Sequence, residues 1–142
     1  MKMKFILVVI GVVALSCSSI AQEGTYIKSV RDYVVLELDG NNKWQIEDGM
    51  RKPIHKSFEL IKSSSITSIS KAKKLGKKLL SLSDDVIEHC KMKSKGHYVF
   101  HSWLVVYLDL LEELRYIEFK EDINYVMTDV NLMIKEFEAY FE

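Results

Sequence analysis

Apolar residues recur every three or four positions from about residue 50 to the C-terminus, and this spacing constrains the fold most strongly. Such spacing places apolar side chains on one face of an α-helix. Four runs follow one another, separated by short polar breaks: Met50, Ile54, Phe58 and Ile61; Ile69, Ala72, Gly76, Leu79, Ser83, Val86 and Cys90; His97, His101, Leu104, Leu108 and Leu111; Ile123, Val126, Val130, Met133, Phe137 and Phe141. The sequence therefore predicts an all-α fold, an antiparallel up-down-up-down four-helix bundle over residues 48–142.

The second run contains three small residues, Ala72, Gly76 and Ser83, where the other runs have larger side chains. Small side chains on a packed face let two helix backbones approach closely. We therefore expect either a close approach of the second helix to a neighbour or a thin core there.

Residues 22–47 differ from the helical part of the chain. The segment 33–38 is rich in β-branched and aromatic residues, and Asp39-Gly40-Asn41-Asn42 is a strong turn signal. Residues 43–46 provide a candidate returning strand. The sequence predicts a short N-terminal β-hairpin or extended arm packed on the bundle.

The first 21 residues are typical of an export signal. Lys2 and Lys4 precede an apolar run over 5–15, which is too short for an ordinary transmembrane helix. We predict that the chain leaves a bacterial cytoplasm and resides in the periplasm or on a membrane facing it.

Two processing sites fit this signal, and both stay open. Ser19-Ile20-Ala21 suits cleavage before Gln22, whereas 13–17 resembles a lipoprotein box in which Cys17 is acylated. The 20 basic and 20 acidic residues balance, which predicts no general affinity for nucleic acid or anionic membranes. Membrane attachment is expected only through a lipid on Cys17.

The stretch HCKMKSKGHYVFHSW, residues 89–103, collects soft and borderline metal-binding side chains. It holds three of the four histidines and the second of the two cysteines. Cys90 continues the second apolar run, which predicts an inward-facing thiol. His97 and His101 are one helical turn apart, a spacing at which two imidazoles on one helix face can hold one ion.

An up-down-up-down path brings the start of helix one to the same pole of the bundle as this stretch. The predicted ligands are Cys90, Met92, His97 and His101, with Met50 as a fifth member. Sulfur and imidazole donors suit Cu(I) or Zn, and thioethers favour copper, whereas scarce carboxylates disfavour Ca, Mg and Mn.

The sequence contains no motif of a known reaction: no Cys-x-x-Cys, Glu-x-x-His, Gly-x-Ser-x-Gly, Walker loop or His-Glu-x-x-His. We therefore predict an exported, non-catalytic protein that binds a copper-type metal ion for sensing, buffering or carriage. One alternative is a structural or partner-binding envelope protein without a metal, in which the same residues form an inert corner. Another is an electron-carrying bundle with b-type haem.

The segment also resembles that of a group of short exported bacterial helical proteins with a Cys-x-Met…His-x-x-x-His pattern. The likeness lies in Cys90-Lys91-Met92, Gly96-His97, His101-Ser102-Trp103-Leu104 and the ending Tyr140-Phe141-Glu142. It extends over roughly residues 44–142, as expected for a helical protein of that size. This resemblance implies a helical exported protein and no particular activity.

The predicted architecture is similar to that of the soluble b-type cytochrome bundle. That family ligates haem with a methionine early in helix one and a histidine late in helix four. Met50 matches the first position, but the end of helix four offers Tyr140 and no histidine. The resemblance implies haem only if His97 or His101 replaces that ligand.

Overall fold

The structure is a computed structural model that describes residues 36–142. The predicted signal peptide, both predicted processing sites and Cys17 lie outside the described residues. So does the first part of the predicted arm, up to residue 35.

The described part of the chain is all-helical and contains four helices, which confirms the predicted class. These are α1 (Asp48–Ser63), α2 (Ile69–Glu88), α3 (Lys95–Tyr116) and α4 (Asp122–Tyr140). None of these four helices is both long and apolar enough to cross a membrane.

Local chemistry explains where α1 ends and α2 begins. The Leu60 carbonyl at the helix end accepts hydrogen bonds from the hydroxyls of Ser64, at 2.6 Å, and Ser63, at 3.2 Å. The Ser68 hydroxyl accepts one of 3.3 Å from the Lys71 backbone N–H and caps α2. The serine-rich interruption therefore becomes a short loop between two helices.

The predicted apolar faces of α1 and α4 form the core. Every predicted member of both runs is buried, including Phe141 directly after α4. Six aromatic side chains fill the centre and are called the aromatic core below: Phe58, Phe100, Trp103, Tyr107, Phe137 and Phe141. Trp103 stacks on Tyr107 at 4.9 Å between ring centroids.

The buried face of α3 differs from the predicted one. We placed His97, His101 and Leu108 on the inward stripe, but all three are only half-buried. Phe100, Trp103 and Tyr107 occupy the centre of the face instead. Large rings remove more apolar area from water than imidazoles do, so they determine which side of α3 points inward.

Close helix approach is confirmed at Gly76. A Cβ at this position would lie 2.7 Å from the backbone nitrogen of Arg115 in α3. At the other end of α2, a Cβ on Gly49 of α1 would lie 3.1 Å from the His89 side chain. Trp103 connects α3 to α4 through a 2.9 Å hydrogen bond from its indole N–H to the Met133 carbonyl.

The arm makes the predicted turn but pairs with the end of the chain. Asp39 and Asn42 exchange two backbone hydrogen bonds around Gly40, whose positive φ of 63° suits glycine. Trp44 then forms a bridge with Phe141, donating its backbone N–H to the Tyr140 carbonyl. Its carbonyl accepts from the Glu142 N–H. Of the partner strand predicted within 33–38, residues 33–35 lie outside the described part of the chain, and residues 36–38 form no strand.

Candidate metal centre

The thiol of Cys90 comes from the loop between α2 and α3, and not from a helix as predicted. Helix α2 ends at Glu88, and the Cys90 backbone N–H donates a 3.2 Å hydrogen bond to the Ile87 carbonyl. The chain leaves the helical path at His89, so the side chain of Cys90 no longer follows the apolar stripe of Val86. It is half-buried and packs against the hydrophobic core.

Two imidazoles from the first turns of α3 meet this thiol. The Cys90 Sγ lies 3.5 Å from His101 Nε2 and 3.8 Å from His97 Nδ1. One ligand atom from each of the three residues lies within 4.8 Å of the others. We call Cys90, His97 and His101 the Cys-His cluster. Folding brings these three predicted ligands together across a loop and two helical turns.

The protonation chemistry of the cluster follows from its partial burial. Burial raises the pKa of the Cys90 thiol, the nearby Glu47 carboxylate raises it further, and a hydrogen bond with the Met92 backbone opposes both. Burial, followed by the neighbouring His97, lowers the pKa of His101. The neutral imidazole is therefore favoured, which is the form that binds a metal ion.

The sulfur–nitrogen distances match those of a shared ion. Zinc–sulfur bonds of about 2.3 Å and zinc–nitrogen bonds of about 2.0–2.1 Å place such donors about 3.6 Å apart at a tetrahedral angle and about 3.8 Å apart at a trigonal one. The observed separations of 3.5 and 3.8 Å agree with this range. The sulfur–nitrogen separations, taken alone, are therefore those of donors that share one ion.

The imidazole rings are not yet oriented for coordination. His97 and His101 stack with centroids 4.2 Å apart and planes inclined by 25°. Imidazole lone pairs lie in the ring plane, and planes this nearly parallel do not converge within a metal–nitrogen bond length. At least one ring must turn about its Cβ–Cγ bond, a torsion that is broad for histidine. Binding an ion therefore requires side-chain rotation.

The two predicted thioether ligands occupy different surroundings. Met92 is half-buried on the same loop, and its methyl carbon lies 3.4 Å from where a Cβ on Gly96 would stand. Met92 therefore lies beside the residue that precedes His97. Met50 is fully buried within the hydrophobic core at the start of α1.

Two residues near the cluster were not predicted to matter. Glu47 precedes α1, and its charge acts on the Cys90 thiol. The indole of Trp44 covers Gly96, where an added Cβ would come within 2.6 Å of the ring. The sequence shows a glycine at position 96, but the indole that packs on it comes from a residue 52 positions earlier. No local sequence pattern predicts that contact.

The remaining histidines stand apart from the cluster, as predicted. His55 and His89 are exposed. A ring nitrogen of His89 lies 2.8 Å from the Asp85 carbonyl, and the His55 ring lies edge-on to Phe137 at 6.2 Å. Both provide matched controls for substitutions in the cluster.

Comparison of the chain with protein-family models, with curated proteins and with solved structures finds no match.

Proposed function

We propose that this chain is an exported, non-catalytic protein that binds one soft metal ion, with copper first and zinc second. Its role would be sensing, buffering or carriage in the periplasm or on a lipid anchor facing it. The observation that carries this proposal is the convergence of one thiol and two imidazoles within 4.8 Å. Three side chains of metal-binding type do not need to meet for a helical bundle to pack.

The donor types favour a soft ion. Thiolate and imidazole together suit Cu(I) and zinc, whereas hard cations require oxygen ligands. Among residues 36–142, no carboxylate belongs to the cluster. Met92, on the same loop, offers a thioether as a fourth ligand. A thioether favours copper over zinc.

Binding fits the site better than nucleophilic catalysis does. A catalytic cysteine needs a lowered pKa and a base that a third group orients. Here burial raises the pKa of Cys90, and the ring facing His101 belongs to another histidine, His97. A second imidazole stacked on the first does not act as the group that orients a catalytic base. It does provide a third metal ligand beside Cys90 and His101.

We also infer the finer topology, in which consecutive helices run antiparallel, up-down-up-down, behind a short hairpin arm. Support comes from contacts between opposite ends of neighbouring helices. Gly49 near the start of α1 lies against His89 after α2, and Cys90 after α2 lies against the start of α3. This path is what gathers the ligands at one pole.

Competitive titration with Cu(I) and a chromophoric chelator tests the proposal. We expect one ion per chain, and a Cys90→Ser, His101→Ala double variant should bind at least about 100-fold more weakly, because losing even an outer partner costs 10–100-fold. His89→Ala is the matched control and should bind as the wild type does. Equal affinity of the double variant and the wild type would refute the proposal and favour a metal-free structural or partner-binding role.

A further inference from the structure

We infer that the Cys-His cluster, with Met92 as a weak fourth ligand, makes its copper ion redox-active, so that the protein carries single electrons. This inference rests on the proposed function and specifies what the bound ion does. One thiolate and two imidazoles in a trigonal arrangement, with a distant thioether on the axis, form the donor set of copper sites that transfer electrons. The cluster presents these donors on a helical scaffold.

The geometry suits both oxidation states of copper. The Sγ–Nδ1 separation of 3.8 Å between Cys90 and His97 equals the value of about 3.8 Å for donors in a trigonal plane, and the 3.5 Å to His101 is nearer the tetrahedral value of about 3.6 Å. Cu(II) alone prefers a tetragonal set of nitrogen and oxygen donors. Among the described residues, no carboxylate joins the cluster, so the chain does not supply that tetragonal set. Neither oxidation state then needs to gain or lose a protein ligand.

The position of Met92 fits the weak fourth ligand. It lies two residues after Cys90, and its methyl carbon lies beside Gly96, the residue before His97. The indole of Trp44 lies on the same side of Gly96, within 2.6 Å of where a Cβ would stand. Along the chain Met92 lies between Cys90 and His97, and its half-buried side chain reaches the start of α3.

Electrons have a short route to the site. All three members of the cluster are half-buried, so the ion would lie near the protein surface. The ring of Tyr98, which is 74% exposed, lies edge-on to the His97 ring at 5.7 Å. An external one-electron donor can therefore approach an imidazole ligand without any opening of the bundle.

The electron transfer step balances without further reactants. The Cys90 thiol releases its proton when copper binds, and that proton does not return. Cu(II)–thiolate then takes one electron from a one-electron donor, such as ascorbate in the test below, and becomes Cu(I)–thiolate. A one-electron acceptor, ferricyanide in the test, removes the electron again. No bond to copper is formed or broken in either direction.

The test loads the purified protein with Cu(II) and follows its visible absorption. We expect a thiolate-to-copper charge-transfer band that ascorbate removes and ferricyanide restores over repeated cycles. Cys90→Ser should abolish the band, and His89→Ala should leave it unchanged. Met92→Leu should keep the band and shift the midpoint potential, because the axial ligand tunes that potential.

Three results separate the possible failures. Tight, Cys90-dependent Cu(I) binding, together with Cu(II) that only oxidises the thiol to a disulfide-linked dimer, would overturn the redox inference and leave the proposed function standing. An unchanged midpoint potential in Met92→Leu would overturn the assignment of Met92 as axial ligand. Copper binding that does not depend on Cys90 in either oxidation state would overturn both proposals.

Discussion

The aromatic core and the Cys-His cluster both include side chains of α3, but they differ in how they are built. Members of the core are almost wholly removed from water and touch one another through ring faces and edges. Members of the cluster are half-buried, and one of them comes from a loop. The core has the contacts that stabilise a fold, whereas the cluster has donors in place for a ligand. Substitutions in the two regions should therefore separate stability from metal binding.

The largest effect is expected for Trp103→Ala. The indole is fully buried, stacks on Tyr107 and donates a hydrogen bond to the Met133 carbonyl. Its removal leaves a cavity and breaks this hydrogen bond, and should lower the free energy of unfolding by about 3–5 kcal/mol. Urea denaturation measures this, with Val105→Ala, which is exposed on the same helix, as the control. A loss no greater than that of Val105→Ala would contradict the description of the core.

Cys90→Ser should show the opposite pattern. Without metal, its free energy of unfolding should stay within about 0.5 kcal/mol of the wild type, because the side chain is half-buried and nearly isosteric. With copper at 100 times the dissociation constant, the wild type should gain about 2.7 kcal/mol, and the variant should gain almost none. Thermal unfolding with and without Cu(I) measures both quantities. Equal stabilisation of both proteins by copper would show that the ion binds elsewhere.

A pair of glycine substitutions compares two contacts of α2, one with the backbone of α3 and one with the start of α1. Gly76→Ala should destabilise the protein by about 1–3 kcal/mol, because the new Cβ would press on the Arg115 backbone, which cannot move freely. Gly49→Ala meets only the exposed His89 side chain, so the gain in helix propensity should offset the contact. Chemical denaturation of both variants tests this order. A Gly76→Ala protein as stable as Gly49→Ala would refute close packing at α2 and α3.

The smallest effect is expected for Glu113→Gln at the far end of α3. Partial desolvation of the carboxyl group, and then the charge of Asp122, raise the pKa of Glu113 in the folded chain, although the residue as a whole is exposed. The protonated form therefore favours folding, and this contribution is lost as the pH rises through the raised pKa. Glutamine stays uncharged, so we expect a higher Tm than the wild type at neutral pH and none of this gain below about pH 4.3. Glu59→Gln on an exposed part of α1 is the control, and a constant difference at all pH values would contradict the assignment.

The core was largely predictable because its signal is local. Helical spacing of Ile54 and Phe58, or of Val130 and Phe137, requires only that each helix bury its apolar face. On α3 the prediction is confirmed for Leu104 and Leu111 but wrong for the two histidines, which lie nearer the surface than the aromatic rings of that helix. A seam defined by Phe100, Trp103 and Tyr107 would have corrected it.

The candidate site was predictable only in composition. The sequence indicated which donors share a pole, and the described structure brings Cys90 together with His97 and His101. The sequence did not indicate that α2 would end before Cys90. Cys90 continues the apolar spacing of Val86, and such spacing looks the same whether or not the helix extends that far. The cover from Trp44 and the charge of Glu47 depend on contacts with the N-terminal arm, which has no periodic signal.

X-ray absorption of the copper-loaded protein is the most direct test of one shared ion at this corner. The account predicts a first shell with two imidazole nitrogens at about 2.0 Å and a sulfur at about 2.3 Å. In Cys90→Ser the thiolate sulfur should disappear from that shell. A wild-type spectrum with nitrogen and oxygen neighbours alone would show that Cys90, His97 and His101 do not hold the ion together.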